Sequence, residues 1–362
     1  MLFLFNSAFR LLYKKNVLNT LCLPEGFTTS YRYRCRGSHV HVDPQLIDKH
    51  GAWHRNEEVL IVYVDRFAKG GYRFIPIRKG ESRKIYCRGD RCFFNVSMGK
   101  FVSASDVDAF NEIMRQKLAD KDLPRLIGND PENGEDGYYA LRAANLDVNS
   151  FKLQIDDQAW AATVDEIAKT QPFDSDATGP YFLSCRLLSK GNELKVSSFC
   201  RKYSVHRGGQ YELEVAYRYP MQLKDRTKHN QVEVTFDDAL LPSGDRIIPI
   251  DSHANVVTMA FAVAKDPVTS DARIGFKSEI EGKTPDCKLE TRVSWGPFLI
   301  LQTIMAIILF ALAGLLVSTN KSELANWHRN IERGWLALKF GGLFFQSLMI
   351  LWLFRLLGRK AL

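Results

Sequence analysis

No recognisable catalytic spacing is present in this sequence. It has no Gly-x-Ser-x-Gly elbow, no phosphate-cradling glycine loop and no His-Glu-x-x-His or paired Cys-x-x-Cys. Nucleophilic hydrolysis, P-loop nucleotide chemistry and a structural zinc site therefore have no support, and no enzyme activity, metal or cofactor is expected. Histidine is scarce, at eight residues in 362. His39, His41 and Asp43, and the pair His50 and His54, are the groups that could approach one another. Neither has a metal-ligand spacing, and both read as surface histidines. Cysteine is also sparse, at seven residues with irregular spacing. An odd, scattered set argues against a disulfide framework and for reduced thiols. No secretory leader is expected either. The opening Met-Leu-Phe-Leu-Phe is only five apolar residues, and Arg10, Lys14 and Lys15 follow it rather than precede it.

Most of the chain also lacks long hydrophobic runs, and its charge is nearly balanced. Residues 1–293 hold 42 Lys/Arg and 39 Asp/Glu, whereas residues 294–362 hold seven and two. The net charge of +8 therefore owes much to the C-terminal segment. Within the first part the charge is uneven. Residues 1–100 carry 18 basic against eight acidic side chains, and residues 101–200 carry ten against 17. Such a division suits pairing within the chain, pairing between copies, or an anionic partner, and composition does not choose among them.

What the C-terminus does contain is decisive. Residues 298–317 are 20 consecutive residues without a charge. At about 1.5 Å per helical residue they reach about 30 Å, the thickness of a bilayer core. Trp295 precedes the run, as an indole does in an interfacial belt. A second apolar stretch covers residues 335–357, interrupted by Lys339 and Gln346. The intervening segment is too short for a domain, so the two predicted helices form an antiparallel hairpin. Lys288, Arg292, Arg355, Arg359 and Lys360 flank one side, against Lys321, Arg329 and Arg333 in the connection. The bias predicts a multi-pass protein of the inner (plasma) membrane, with the large N-terminal region and the C-terminus cytoplasmic.

Polar residues inside the hairpin admit two readings. Lys339 lies near a helix end and could snorkel to the interface. Alternatively, Gln302, Thr303, Lys339 and Gln346 line a polar seam or pore. Two helices cannot enclose a conduit alone, so the second reading requires a homo-oligomer. Gly341 and Gly342 would permit close helix approach.

The N-terminal 293 residues are predicted to be α+β: β-rich sandwich- or barrel-like modules with a helical insert, followed by the hairpin. A basic β-rich domain is expected over 1–102, an acidic helix-containing segment over 103–178, a second β-rich domain over 179–293, and the membrane segment over 294–362. Residues 1–20 read either as a surface amphipathic helix or as the first element of a domain. Val59–Val64 is a continuous apolar β run, as for a strand buried on both faces. Gly70-Gly71, Gly80 and Gly89-Asp90 read as turns separating strands. Ser105 is expected to cap a helix over 106–120, and a second helix is expected over 157–169, with Trp160, Val164 and Ile167 on one face. Tyr211–Val215 and Val232–Phe236 alternate as half-exposed strands. Gly89-Asp90-Arg91 and Gly244-Asp245-Arg246 both read as hairpin tips.

The basic surplus of the first hundred residues offers the candidate ligand site. Arg32, Arg34 and Arg36 share one face of an extended strand, with Tyr31 and Tyr33 on the other. Arg78, Lys79, Arg83, Lys84, Arg88 and Arg91 cluster around two expected turns. Arginines interleaved with aromatics suit phosphates and stacked bases. They equally suit anionic headgroups, or a solvated face.

With a β-rich cytosolic region at 1–293, paired helices at 298–317 and 335–357, and basic segments at 32–36 and 78–91, the layout resembles the two-helix membrane effectors of bacterial antiphage defence systems. Among these is the channel-like effector of the Hailong type, held closed by an oligonucleotide signal. The resemblance implies an oligomeric ion channel or pore gated by a nucleotide or single-stranded oligonucleotide, with the lipid bilayer, further copies of the chain and a companion protein as partners. The alternative reading is a non-conducting, membrane-anchored interaction scaffold.

Overall fold

A computed structural model of the chain describes residues 2–6, 8, 11–34, 52–53, 57–66, 72–88, 91–117, 139–142, 151–155, 159–170, 173, 180–197, 200–219, 230–279, 282–295 and 304–310. It is β-rich, as expected.

The opening Leu2–Asn6 is strand β1, and every residue of it is buried. The first residues are thus a core element rather than a surface helix. β1 pairs in parallel with β4 (Glu57–Arg66), from Leu2 opposite Val59 to Asn6 opposite Tyr63. The Val59–Val64 run is fully buried on both faces, as its unbroken apolar pattern requires. Six further strands complete this sheet: β2 (Thr28–Arg34), β3 (Ala52–Trp53), β5 (Tyr72–Arg88), β6 (Arg91–Ala104), β7 (Tyr139–Arg142) and β8 (Leu153–Ile155). The order is β2-β6-β5-β4-β1-β7, with β3 added on β5 and β8 on β6.

Helices cover both faces of the sheet. Helix α1 (Leu11–Cys22) and helix α3 (Ala159–Ala168) lie on one side. Helix α2 (Val107–Lys117) packs on the other, where Phe110 and Met114 meet Phe3, Phe5, Leu60, Val62, Phe74 and Phe151. The α2 cap sits one residue later than expected. Asp106 Oδ1 accepts from Ala109 N at 2.9 Å, while Ser105 Oγ donates to the Lys152 carbonyl at 2.7 Å. Trp160, Val164 and Ile167 form the buried face of α3.

Gly80 is not a turn. It lies inside β5, a single 17-residue strand where two shorter ones were expected. A Cβ there would sit 2.7 Å from the Ser97 carbonyl oxygen, so glycine serves close approach of backbones. The register with β6 shifts on either side of it, between Arg78 and Gly80 and between Ser82 and Lys84.

The rest of the described chain forms two five-stranded sheets. One has the order β10 (Asn192–Glu193), β9 (Phe182–Ser189), β12 (Gln210–Arg218), β16 (Ala254–Val263), β14 (Leu240–Ser243). The other runs β11 (Tyr203–His206), β18 (Lys288–Ser294), β17 (Asp271–Lys277), β13 (Gln231–Phe236), β15 (Ile247–Pro249). Alternation along β12 buries Tyr211, Leu213, Val215 and Tyr217 and leaves Glu212 and Glu214 outward. Phe236 and Phe261, from opposite sheets, meet with centroids 5.6 Å apart. Gly244, at φ +108°, corrects the second hairpin-tip expectation. The strands on either side, β14 and β15, belong to different sheets, so this turn carries the chain between layers.

Helix α1 is the seam between the two regions. Its Asn19 Oδ1 accepts from the backbone N of Asp286 (2.9 Å) and Cys287 (3.1 Å). Trp160 Nε1 donates to the Leu21 carbonyl at 3.1 Å. Cys22 and Cys185 meet at 3.5 Å with free thiols, and burial pushes the Cys22 thiol well above its usual value. Burial also raises Cys200, but contacts with Ser197 and the Lys202 backbone and the charge of Arg292 outweigh it, so this thiol lies below its ordinary value. Thiolate is the reactive form. Alkylation of the native protein at neutral pH, read by peptide mass mapping, is expected to modify Cys200 well before Cys22 and Cys185. Equal labelling of the three would contradict the closed seam.

Among the described residues, no helix is long and apolar enough to cross a membrane. Residues 304–310 are helical, and Ile304, Met305, Ile307, Ile308, Leu309 and Phe310 are all exposed. The remainder of the 298–317 run and the whole of 335–357 lie outside the described residues, as do Gln302, Thr303, Lys339 and Gln346.

Candidate ligand-binding face of the first sheet

The long hairpin of β5 and β6 organises the basic residues. Arg88 pairs with Arg91, Tyr86 with Phe93, and Lys84 with Asn95. β2 continues the same rows, with Arg34 opposite Arg91, Arg32 opposite Phe93, and Ser30 opposite Asn95. Successive residues of a strand alternate between faces. The intervening row of Tyr31, Phe94 and Ile85 is buried in the core on the α1 side. Positions 32, 34, 84, 86, 88, 91 and 93 therefore share the opposite face. Helix α2 covers that face near the start of β5, where Phe74 lies, and its packing does not extend to the hairpin end.

Two rows matter chemically. The outer one, 34–91–88, consists of three arginines. The next, 32–93–86, sets an arginine position beside two aromatic rings. Tyr86 and Phe93 stack with centroids 4.9 Å apart and planes 9° from parallel. Lys84 Nζ lies 5.2 Å from the Tyr86 ring centre, so that ring has an aromatic neighbour and a cation. A flat π surface on a strand face that also carries arginine positions can hold a planar base by stacking and its phosphates by charge-assisted hydrogen bonds.

The other basic residues stand outside these two rows. Arg78 corrects the sequence expectation: it is 1% exposed and belongs to the core. Its Nη1 donates to the carbonyls of Thr20 (2.9 Å) and Leu23 (2.5 Å), and its Nε to that of Gly99 (3.0 Å). The guanidinium also stacks 4.1 Å from the Phe101 ring centre. It thus caps the C-terminal end of α1, where carbonyls lack helical partners. Burial draws its pKa down to about 10, which still leaves it cationic at neutral pH. Lys79 pairs with Glu58 at 3.1 Å, and Arg83 with Glu81 at 2.5 Å. Arg36 lies outside the described residues.

Sequence reading missed Tyr86 and Phe93 as partners. The signal was present: a two-residue connection at 89–90 fixes Arg88 opposite Arg91 and hence Tyr86 opposite Phe93. A cleft of about 400 Å³ between β5 and α2 is lined by Arg73, Val107, Asp108, Asn111 and Arg115. Asn111 and Arg73 in its lining are engaged in holding the fold. The Asn111 amide bonds Phe74 N (2.7 Å) and the Phe74 carbonyl (3.2 Å), and Arg73 pairs with Glu166. Among the described residues, no group of three His, Cys, Asp or Glu side chains is arranged to hold a metal. His39, His41, Asp43, His50 and His54 lie outside the described residues. No family model matches the chain, and no curated protein matches it.

Proposed function

We propose that this protein is a membrane effector: a cytosolic ligand-sensing region coupled to an oligomeric channel or pore formed by the 298–317 and 335–357 helices. The ligand class is a nucleotide or single-stranded oligonucleotide bound on the β2-β6-β5 face. The observation that carries this reading is the register that aligns Arg34, Arg91 and Arg88 beside the stacked Tyr86–Phe93 pair. Support for the membrane half comes from the 20-residue uncharged run and from the exposed apolar side chains at 304–310, which have no aqueous justification in such density. Antiphage defence is the setting that the overall layout suggests.

The test combines ion flux from liposomes holding the full chain with a mass measurement of the detergent-solubilised particle. The expected result is a discrete oligomer, with flux that changes when a short oligonucleotide is added. Lys339→Gln is expected to alter the flux without altering the mass. A strict monomer, or vesicles that leak no faster than empty ones under any ligand condition, would instead leave the non-conducting scaffold.

A further inference from the structure

One end of the second β region has an unusual surface. β18 ends at Ser294, and Trp295 follows it. The uncharged run begins at residue 298, three residues beyond Trp295. Three residues of extended chain cover about 10 Å. This end of the sandwich therefore lies within about 10 Å of the run's first residue, whatever path the chain takes.

Three described segments form that end. The first is Trp295 itself, 44% exposed. The second is the turn after β11. Arg207 N donates to the Ser294 carbonyl at 3.1 Å, and the Arg207 guanidinium lies 4.2 Å from the Trp295 ring centre. The third is the connection between β16 and β17, residues 264–270. It is held to β18 by Val293 N donating to the Ser270 carbonyl at 2.7 Å, and the end of β16 from which it starts is held to the β11 turn by Gly208 N donating to the Val263 carbonyl at 3.0 Å. At its tip Val268 is 99% exposed. Lys265 and Asp266 beside it are also exposed.

A fully exposed valine on a loop tip, an exposed indole stacked by an arginine, and a further lysine make an apolar wedge bordered by two cations, with Asp266 the one acidic side chain of the 264–270 connection. We propose that this end of the sandwich docks on the phospholipid surface, with Val268 and Trp295 entering the headgroup layer and Arg207 and Lys265 meeting lipid phosphates. The inference rests on the 298–317 run being membrane-spanning, and it adds a fixed orientation. The six steps of β17 rise about 20 Å from Asp271 beside the membrane to Lys277 at the far end. Indoles favour the interface, and interfacial apolar groups enter it by about 5–10 Å. The docked end also sets the β11 and β18 strands, and through them α1, at a defined height above the bilayer.

The full chain, reconstituted in phosphatidylcholine–phosphatidylglycerol vesicles, would carry an environment-sensitive fluorescent residue in place of Val268, or in place of Lys277 for comparison. Lipids bearing a nitroxide near the headgroup would serve as quenchers. Several-fold stronger quenching at 268 than at 277 is expected. Equal, weak quenching at both sites in protein that floats with the vesicles and resists alkaline extraction would overturn the docking while leaving the membrane span intact. Protein that fails to float, or is released by alkali, would overturn the span and the docking together.

Discussion

Replacing Arg78 by alanine is expected to destabilise the protein by about 3 kcal/mol or more. The size follows from what the side chain leaves behind. The carbonyls of Thr20, Leu23 and Gly99 lose their donors in a buried setting. A buried polar group left unsatisfied costs about 1–3 kcal/mol. The Phe101 ring also loses its cation. For a region of this size that loss lowers the unfolding midpoint by roughly 6–12 °C. Arg78→Lys is expected to fall between the two, because one ammonium cannot reproduce a planar fork reaching three carbonyls. Arg83→Ala supplies the comparison. Its pair with Glu81 is partly exposed, and such pairs contribute about 1 kcal/mol or less. Thermal unfolding of the full chain in detergent, followed by intrinsic fluorescence, measures all three. Equal midpoints for Arg78→Ala and Arg83→Ala would show that Arg78 does not fasten α1.

Arg78 also shows where sequence reasoning works in this fold and where it stops. Alternation within one strand was readable: Tyr31 is buried, and Arg32 and Arg34 fall on the other face, as period two demands. The unbroken Val59–Val64 run announced burial on both sides, and β12 announced its two faces. What could not be read was the irregularity inside β5. Counting back from Lys84 by twos places Ser82, Gly80 and Arg78 on the open face. The register shift between Ser82 and Lys84 moves them all to the core side. Such a slip depends on which backbone atoms approach Gly80 from the neighbouring strand, and local composition does not encode that. The same limit explains Gly244. A Gly-Asp-Arg turn looks alike whether it closes a hairpin or passes the chain between sheets, because partner choice is made by distant strands. The site inherits this split. Its arginines were visible as a surplus, while their sorting into a core cap, two ion-paired side chains and one basic face needed the pairing pattern.

For the face itself, Phe93→Ala is expected to weaken binding of a short single-stranded oligonucleotide by roughly 5- to 150-fold. That is the alanine-substitution cost of about 1–3 kcal/mol for one stacked base. Phe93 is the ring to remove first. Tyr86 has Phe93 against one side and Lys84 over it, whereas among the described residues Phe93 has Tyr86 alone as a ring partner. Phe93→Leu keeps apolar bulk but no π surface, and is expected to recover little of the affinity. Arg88→Ala and Arg91→Ala should behave differently. Phosphate recognition is indifferent to base identity, so these variants should weaken all sequences alike. Removing one arginine–phosphate pair should also reduce the slope of log affinity against log salt by about 0.7. Arg78→Lys, Lys79→Ala and Arg83→Ala lie outside these two rows and should leave binding near that of the unaltered chain. Fluorescence anisotropy of a labelled oligonucleotide with the full-length protein, over a range of salt concentrations, separates these effects. Binding that does not respond to salt, or that survives both Phe93→Ala and Arg91→Ala, would remove the β2-β6-β5 face as the sensing surface.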